Sequence, residues 1–194
     1  MRIIAGTKRG MKLFSPETDL SRPILDRVKQ SLFDCLQKYN APAGKLVADL
    51  FSGVGSLGLE SISRGAESAA FVERDPKTAA ILKQNIAKAG FYNQSKVLIA
   101  DAFKTGAALV PGKPKYDLVF VDPPYIRTND VGADSDLAGL MKILVDQTAD
   151  NALVIVRTYK DIELPDIYAG FKIIDRRQWG SMAVTFLMRS KNEQ

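Results

Sequence analysis

The chain has 194 residues, 46% hydrophobic and 25% charged, proportions that suit one soluble globular domain with a sizeable core. Its 27 Lys and Arg outnumber its 22 Asp and Glu, and the formal charge of +5 favours a polyanionic partner. Histidine is absent and cysteine occurs once, which excludes Ser-His-Asp triads, Cys-His pairs, histidine-ligated metals, cysteine zinc clusters and internal disulfides.

The amino terminus has no hydrophobic signal core, and no apolar run approaches the length of a membrane span. The expectation is a cytoplasmic protein, monomeric, with neither membrane nor metal as partner. Residues 2–14 read as a hairpin, with Gly6 and Gly10 supplying turn conformations. Its charges, Arg2, Lys8, Arg9 and Lys12, are all positive. They suit a solvated edge that discourages aggregation or an arm that contacts phosphates, and the segment alone does not choose. Residues 15–22 form a polar linker. A helix is expected from Pro23, with Ser21 or Arg22 near its cap and Leu25, Val28, Leu32 and Leu36 on one stripe. Arg22, Arg27 and Lys29 extend the basic surface, while Cys35 beside the stripe reads as packed rather than reactive. Residues 1–40 are thus expected to be an extension and 41–194 the main domain.

From there strand and helix alternate. Strands are expected at 46–51, 69–73, 96–100, 116–121 and 152–158, and helices at 57–64, 76–89, 103–109 and 136–148. Such alternation means a parallel sheet covered on both faces. Residues 171–178 and 182–188 meet across Trp179, Gly180 and Ser181 without a helix between them, which predicts an antiparallel pair closing the sheet. The sum is an α/β, doubly wound, seven-stranded and mostly parallel sheet. The tail 191–194 reads as a frayed polar end.

Asp49-Leu50-Phe51-Ser52-Gly53-Val54-Gly55-Ser56-Leu57-Gly58 is a glycine-rich turn between the first sheet strand and its helix. Gly53, Gly55 and Gly58 match the spacing of a dinucleotide fingerprint, with Glu73 ending the next strand. Glycines let the backbone approach an adenosine cofactor, and the acid accepts both ribose hydroxyls. Asp49 would repel a pyrophosphate but attract a cationic amino or sulfonium group. Adenosine, ribose hydroxyls and a cationic tail together describe S-adenosylmethionine. Asp101 would then accept from the adenine amine, with Ala102 offering its amide; Phe51 and Arg74 flank the same positions. Acids at 49, 73, 101 and 122 each end a successive strand, so they line one rim.

Asp122-Pro123-Pro124-Tyr125 follows the apolar run Val119-Phe120-Val121. Neither proline can donate a ladder hydrogen bond, so the strand stops in a stiff, extended corner. Open α/β sheets bind ligands at such carboxyl ends. Methyl transfer to an exocyclic amine needs alignment and acceptors that draw the amine hydrogens. Asp122 and the Pro123 carbonyl would accept, Pro124 would stiffen the corner and Tyr125 would stack on the base.

These segments carry a resemblance. Arg2-Ile3-Ile4-Ala5-Gly6 with Arg9-Gly10 and Leu13, then Arg22-Pro23, Asp26-Arg27-Val28 and Leu32-Phe33, resemble the opening of one bacterial family. The match continues through Asp49-Leu50-Phe51-Ser52-Gly53, Gly55, Leu57-Gly58-Leu59-Glu60, Ser63-Arg64-Gly65-Ala66, Phe71-Val72-Glu73, Asn85 and Asp122-Pro123-Pro124-Tyr125. The chain is similar to the RsmD-type 16S ribosomal RNA (guanine-966)-N2-methyltransferases. The resemblance implies a Rossmann-like, class I methyltransferase fold with an RNA-binding amino-terminal extension. It also implies S-adenosylmethionine as cofactor, and 16S ribosomal RNA in an assembled or partly assembled small subunit as partner. By it Gly53, Gly55, Glu73 and Asp101 become cofactor contacts, and Asp122, Pro123 and Tyr125 the target-amine site. Arg2, Lys8, Arg9, Lys12, Arg22 and Arg27 become candidate RNA contacts.

The chain departs from that family where Ile24 and Leu25 follow the Arg-Pro pair. It departs again at Arg157, where the family tends to have glutamate. The long polar loop 126–136 reads as a flap over the target base. The Asp-Pro-Pro-Tyr corner alone fits a DNA adenine-N6 methyltransferase equally well. A protein glutamine methyltransferase, a nicotinamide oxidoreductase and a non-catalytic RNA-binding protein of the same fold are further alternatives.

Overall fold

The strands that open onto the sheet's carboxyl edge carry almost unbroken apolar runs, and both of their faces are covered. The computed structural model describes residues 1–16, 24–107, 109 and 114–189. Five parallel strands, β1 (Leu46–Leu50), β2 (Ser68–Glu73), β3 (Ser95–Ile99), β4 (Tyr116–Val121) and β5 (Thr148–Tyr159), stand in the order β3-β2-β1-β4-β5. β6 (Ile167–Tyr168), β7 (Phe171–Trp179) and β8 (Met182–Arg189) continue the sheet beyond β5 as β8-β7-β6, all antiparallel. The expected parallel sheet and antiparallel closing pair are present. The two-residue edge strand β6 brings the sheet to eight strands, and so short a strand carries no period-two pattern to find.

Helices α1 (Asp26–Gln37), α2 (Ser56–Ser63), α3 (Pro76–Ala89), α4 (Ala102–Thr105) and α5 (Asp136–Gln147) complete the fold. Val47, Leu118, Phe120, Leu153 and Ile155 face one core cluster with Leu32, Phe33, Leu59 and Leu82. Ala48, Leu50, Val119, Val121, Val154 and Val156 face the other, with Leu137, Leu140, Met141 and Leu144. Successive residues alternate between the two clusters, as period-two side chains on a doubly covered sheet must. α3 shows how local sequence sets an element. Asp75 accepts from the Lys77 and Thr78 amides, Pro76 occupies the first turn, and Gly90 closes the helix at φ 73°.

The expected hairpin at 2–14 is present: Arg2 bridges Lys12 antiparallel, the Ile3 amide donates to the Met11 carbonyl at 2.9 Å, and the Leu13 amide to the Met1 carbonyl at 3.1 Å. Gly6 and Gly10 take positive φ, but its tip is a 3₁₀ turn over Gly6–Lys8 and no regular strand extends from the bridge. The pairing stops short because of where the next two donors go. The Ile4 and Ala5 amides donate to Glu60 Oε2 and Oε1 of α2, at 2.8 and 3.0 Å, rather than to a partner strand. Gly6, at φ 78°, lies so close to α2 that a Cβ there would fall 1.7 Å from the Ser63 carbonyl oxygen.

Lys29 is a correction. It was expected on the basic surface, yet it is fully buried. Its ammonium lies 3.4 Å from Glu60 and donates to the Arg2 carbonyl at 2.7 Å and the Ser56 hydroxyl at 3.1 Å. Burial draws the Lys29 pKa down while Glu60 pulls it back up. Arg64 completes the network at 2.7 Å from Glu60.

α1 begins at Asp26, with Leu25 at its cap in an extended conformation. That geometry turns Leu25 off the stripe, leaving it 63% exposed, and buries Ile24 in its place. The cap expected at Ser21 or Arg22, like the tail 191–194, lies outside the described residues. Cys35 packs, partly buried, against the first cluster. Among the described residues, no helix is long and apolar enough to cross a membrane.

Candidate active site

β2 and β4 lie on opposite sides of β1, so the strand order reverses there and a crevice opens at the carboxyl ends. It holds a cavity of about 1000 Å³. Asp49, Phe51, Gly53, Glu73, Arg74, Asp101, Ala102, Asp122, Pro123, Pro124 and Tyr125 all line it. The four strand-end acids therefore line one cavity. Gly55 is not in the lining: at φ 88° it turns the loop into α2, where a Cβ would press Leu82 at 2.5 Å.

Each acid is held differently. Asp49 is buried and accepts from the Gly58 amide at 2.8 Å. Burial pushes its pKa up to about 8, against the pull of that amide, with Asp122 and Glu73 adding repulsion. Glu73 accepts from the Gly53 amide at 2.9 Å and, through its other oxygen, from the Asp75 amide at 2.9 Å. These bonds fix it against the glycine turn. Asp101 accepts from the Phe103 amide at 3.0 Å and caps α4. Phe51 takes φ 58°, a conformation rare for a bulky residue, and packs on Phe103 with ring centroids 4.7 Å apart.

At the other end, Asp122 follows the last residue of β4, and Val121 pairs with Val156 of β5. This register sets Asp122 beside Arg157, and the two form an ion pair, Arg157 Nε to Asp122 Oδ1. Their side chains are only 16% and 19% exposed, and both paired atoms are sealed from solvent. Burial raises the Asp122 pKa, while the Arg157 charge lowers it; the balance stays above the ordinary value. The Tyr125 ring stacks on Tyr159 at 4.2 Å and 24°, with the Arg157 guanidinium 5.5 Å from its centroid.

Sequence reasoning missed Arg157 and Tyr159, because only sheet register brings β5 to this corner. It also missed Ser52, a residue of the cavity lining whose buried hydroxyl has no hydrogen-bond partner among the described residues. Met1, Ser15, Pro16 and Ile24 of the amino-terminal segment line it as well. The loop read as a flap starts in a 3₁₀ turn, Tyr125–Thr128. It is held by Arg127, which bonds Asp136 at 2.8 Å and lies 4.6 Å from the Phe103 ring centroid. Ile126, 78% exposed, stands at the cavity's lip.

The donor set fits S-adenosylmethionine. The buried Asp49 carboxyl, which has no ion-pair partner among the described residues, would suit its cationic tail, and Glu73 its ribose hydroxyls. Among the described residues no cluster of three or more His, Cys, Asp or Glu could hold a metal.

Of the expected RNA contacts, Arg9, Lys12 and Arg27 are exposed. Arg2 pairs with Asp26 at 2.7 Å, and the Lys8 ammonium lies 5.9 Å from the Phe91 ring centroid. Arg22 lies outside the described residues.

Residues 1–188 match the family model described as Conserved hypothetical protein 95. The chain is 34% identical over 193 residues to Ribosomal RNA small subunit methyltransferase D of Escherichia coli (strain K12), covering 97% of this chain and 90% of that one. It superposes on the solved "Putative methyltransferase yhhF from Escherichia coli" with a TM-score of 0.79 and 30% identity, covering 98% of each chain. It also shares its fold with an RNA methyltransferase from Salinibacter ruber solved with S-adenosyl-L-homocysteine. There the TM-score is 0.63 at 14% identity, over 89% of this chain and 97% of that one.

Proposed function

The chain belongs to the Conserved hypothetical protein 95 family, the RsmD family, and on that footing we propose that it transfers methyl from S-adenosylmethionine to a guanine N2 in 16S ribosomal RNA. One observation supports the reading: Glu73 and Asp122 line a single cavity, so the proposed ribose acceptor and the proposed amine acceptor share one site. S-adenosylmethionine, when bound, supplies a methyl group already activated on a sulfonium.

The rest of the work falls to this chain. Asp49 and Glu73 orient the donor. Tyr125, backed by Tyr159, holds the base plane. Asp122 and the Pro123 carbonyl accept the two amine hydrogens and so turn the nitrogen lone pair towards the methyl carbon. The methyl carbon would exchange its bond to sulfur for one to nitrogen, with a neutral thioether leaving, and Asp122 would take the amine proton then lost, its raised pKa suiting it to hold that proton before release to water. Residues 1–40 form the RNA-binding extension in this reading, with the small subunit, assembled or partly assembled, as substrate.

Two consequences follow from the charges. At pH 7 the Asp49 carboxyl of the free protein, with its pKa near 8, is mostly protonated. A cation bound beside it lowers that pKa, so cofactor binding releases a proton that Asp49→Asn cannot release. Calorimetry in buffers of different ionisation enthalpy is expected to show a wild-type-minus-variant release of about one proton, fading above pH 9. Equal proton counts in the two proteins would remove Asp49 from that role. Replacing the exposed Arg9, Lys12 and Arg27 by glutamine is expected to weaken RNA binding and reduce the slope of log K against log salt by about two. An unchanged slope would return them to a solvated face.

The acceptor class is tested with labelled S-adenosylmethionine and three substrates in parallel: small subunits lacking this modification, duplex DNA, and ribosomal protein. Label in the small-subunit RNA is the expected result. Label confined to DNA or protein would overturn it.

A further inference from the structure

Among the described residues Arg157 is the one basic side chain that pairs with Asp122, and neutralising Asp122 does not account for all of it. A guanidinium presents five N–H donors in a planar fork. Among the described residues its only ion-pair or hydrogen-bond partner is Asp122, reached through Nε. The group lines the cavity, lies 5.5 Å from the ring centroid of Tyr125, and extends from β5 beside the corner that grips the amine. An acceptor and a fork of donors therefore stand side by side, next to a ring stack that sets the plane of a base.

We propose that Arg157 selects the target base by donating a hydrogen bond to the carbonyl oxygen of guanine, while Asp122 holds the amine of the same base. This rests on the guanine-N2 reading above. Guanine presents amine and ring N–H donors followed by a carbonyl acceptor along its Watson–Crick edge. The neighbouring carboxylate and guanidinium complement that sequence of groups. 2,6-Diaminopurine keeps the 2-amine but places a second amine where guanine has its oxygen, so that amine would face the Arg157 donors. A site built to hydrogen-bond one group rejects a base that lacks it, because its own polar atoms are left unpaired. Arginine donating to the guanine O6 is a frequent solution to the same problem in duplex DNA.

The test uses small-subunit RNA ligated from fragments, with either guanine or 2,6-diaminopurine at the target position, and compares kcat/KM for the two. Wild type is expected to prefer guanine by about 10- to 100-fold. Arg157→Met is expected to bring the two within about threefold, with cofactor affinity retained. Arg157→Lys keeps a cation beside Asp122 but loses the fork, and is expected to fall between them; it gives the same readout if the Met variant does not fold. A residue that only positions Asp122 would, when replaced, slow both bases by one factor and leave the preference intact, and that result overturns the proposal. Wild type that does not discriminate overturns it too. Methylation at a position other than guanine N2 would instead show that the underlying reading has failed, and the proposal with it.

Discussion

Asp122→Ala is expected to lower the single-turnover rate of methyl transfer by about a thousandfold while changing cofactor affinity less than about threefold. In the proposed reading Asp122 holds the target amine while Asp49 and Glu73 hold the donor, and all three line the cavity. The alanine variant removes the amine acceptor and leaves Arg157 without its ion-pair partner. The wild-type rate should also rise with pH. The folded-state pKa of Asp122 is raised, and only the ionised form can take the amine proton, so activity grows as pH climbs through that raised value. Asp122→Asn keeps the shape but does not ionise, so it should lose this limb of the profile. Loss of cofactor binding in a folded Asp122→Ala protein would contradict the assigned role.

The second large effect is on stability. Glu60→Ala is expected to destabilise the protein by about 3–5 kcal/mol. The substitution deletes the acceptor for the Ile4 and Ala5 amides, for the Lys29 ammonium and for Arg64, and Lys29 is then left buried without a counter-ion. Lys29→Met should cost less, because Glu60 keeps Arg64 and both amides. Urea unfolding followed by circular dichroism measures both. Equal costs would mean that Lys29, not the carboxylate, is the centre of the network. Since Lys29 also bonds Ser56 at the start of α2, the arm and the cofactor loop share this network. Cofactor affinity should therefore weaken in Glu60→Ala even where the protein remains folded.

The parallel sheet was legible because its strands are short apolar runs that end in acids, and the site was legible because those acids end adjacent strands. Pro123 and Pro124 marked the end of β4 without ambiguity. What escaped depends on contacts between residues far apart in the chain. Lys29 reads as a surface charge unless Glu60, 31 positions later, is known to meet it. The hairpin at 2–14 was legible, but not that the same carboxylate takes its Ile4 and Ala5 amides and cuts its pairing short. Leu25 fits a helical stripe by spacing, but the helix starts one residue after it. Arg157 drew notice only as a departure from a family pattern, and its meaning came from the register of β5 on β4.

The central claim is that this cavity methylates the exocyclic amine of a guanine. The most direct measurement digests small-subunit RNA after reaction with isotopically labelled S-adenosylmethionine and identifies the labelled nucleoside by mass spectrometry. Label in N2-methylguanosine, absent with Asp122→Ala, is the result expected here. Label in N6-methyladenosine or in any other nucleoside would contradict the guanine assignment and the base selection built on it.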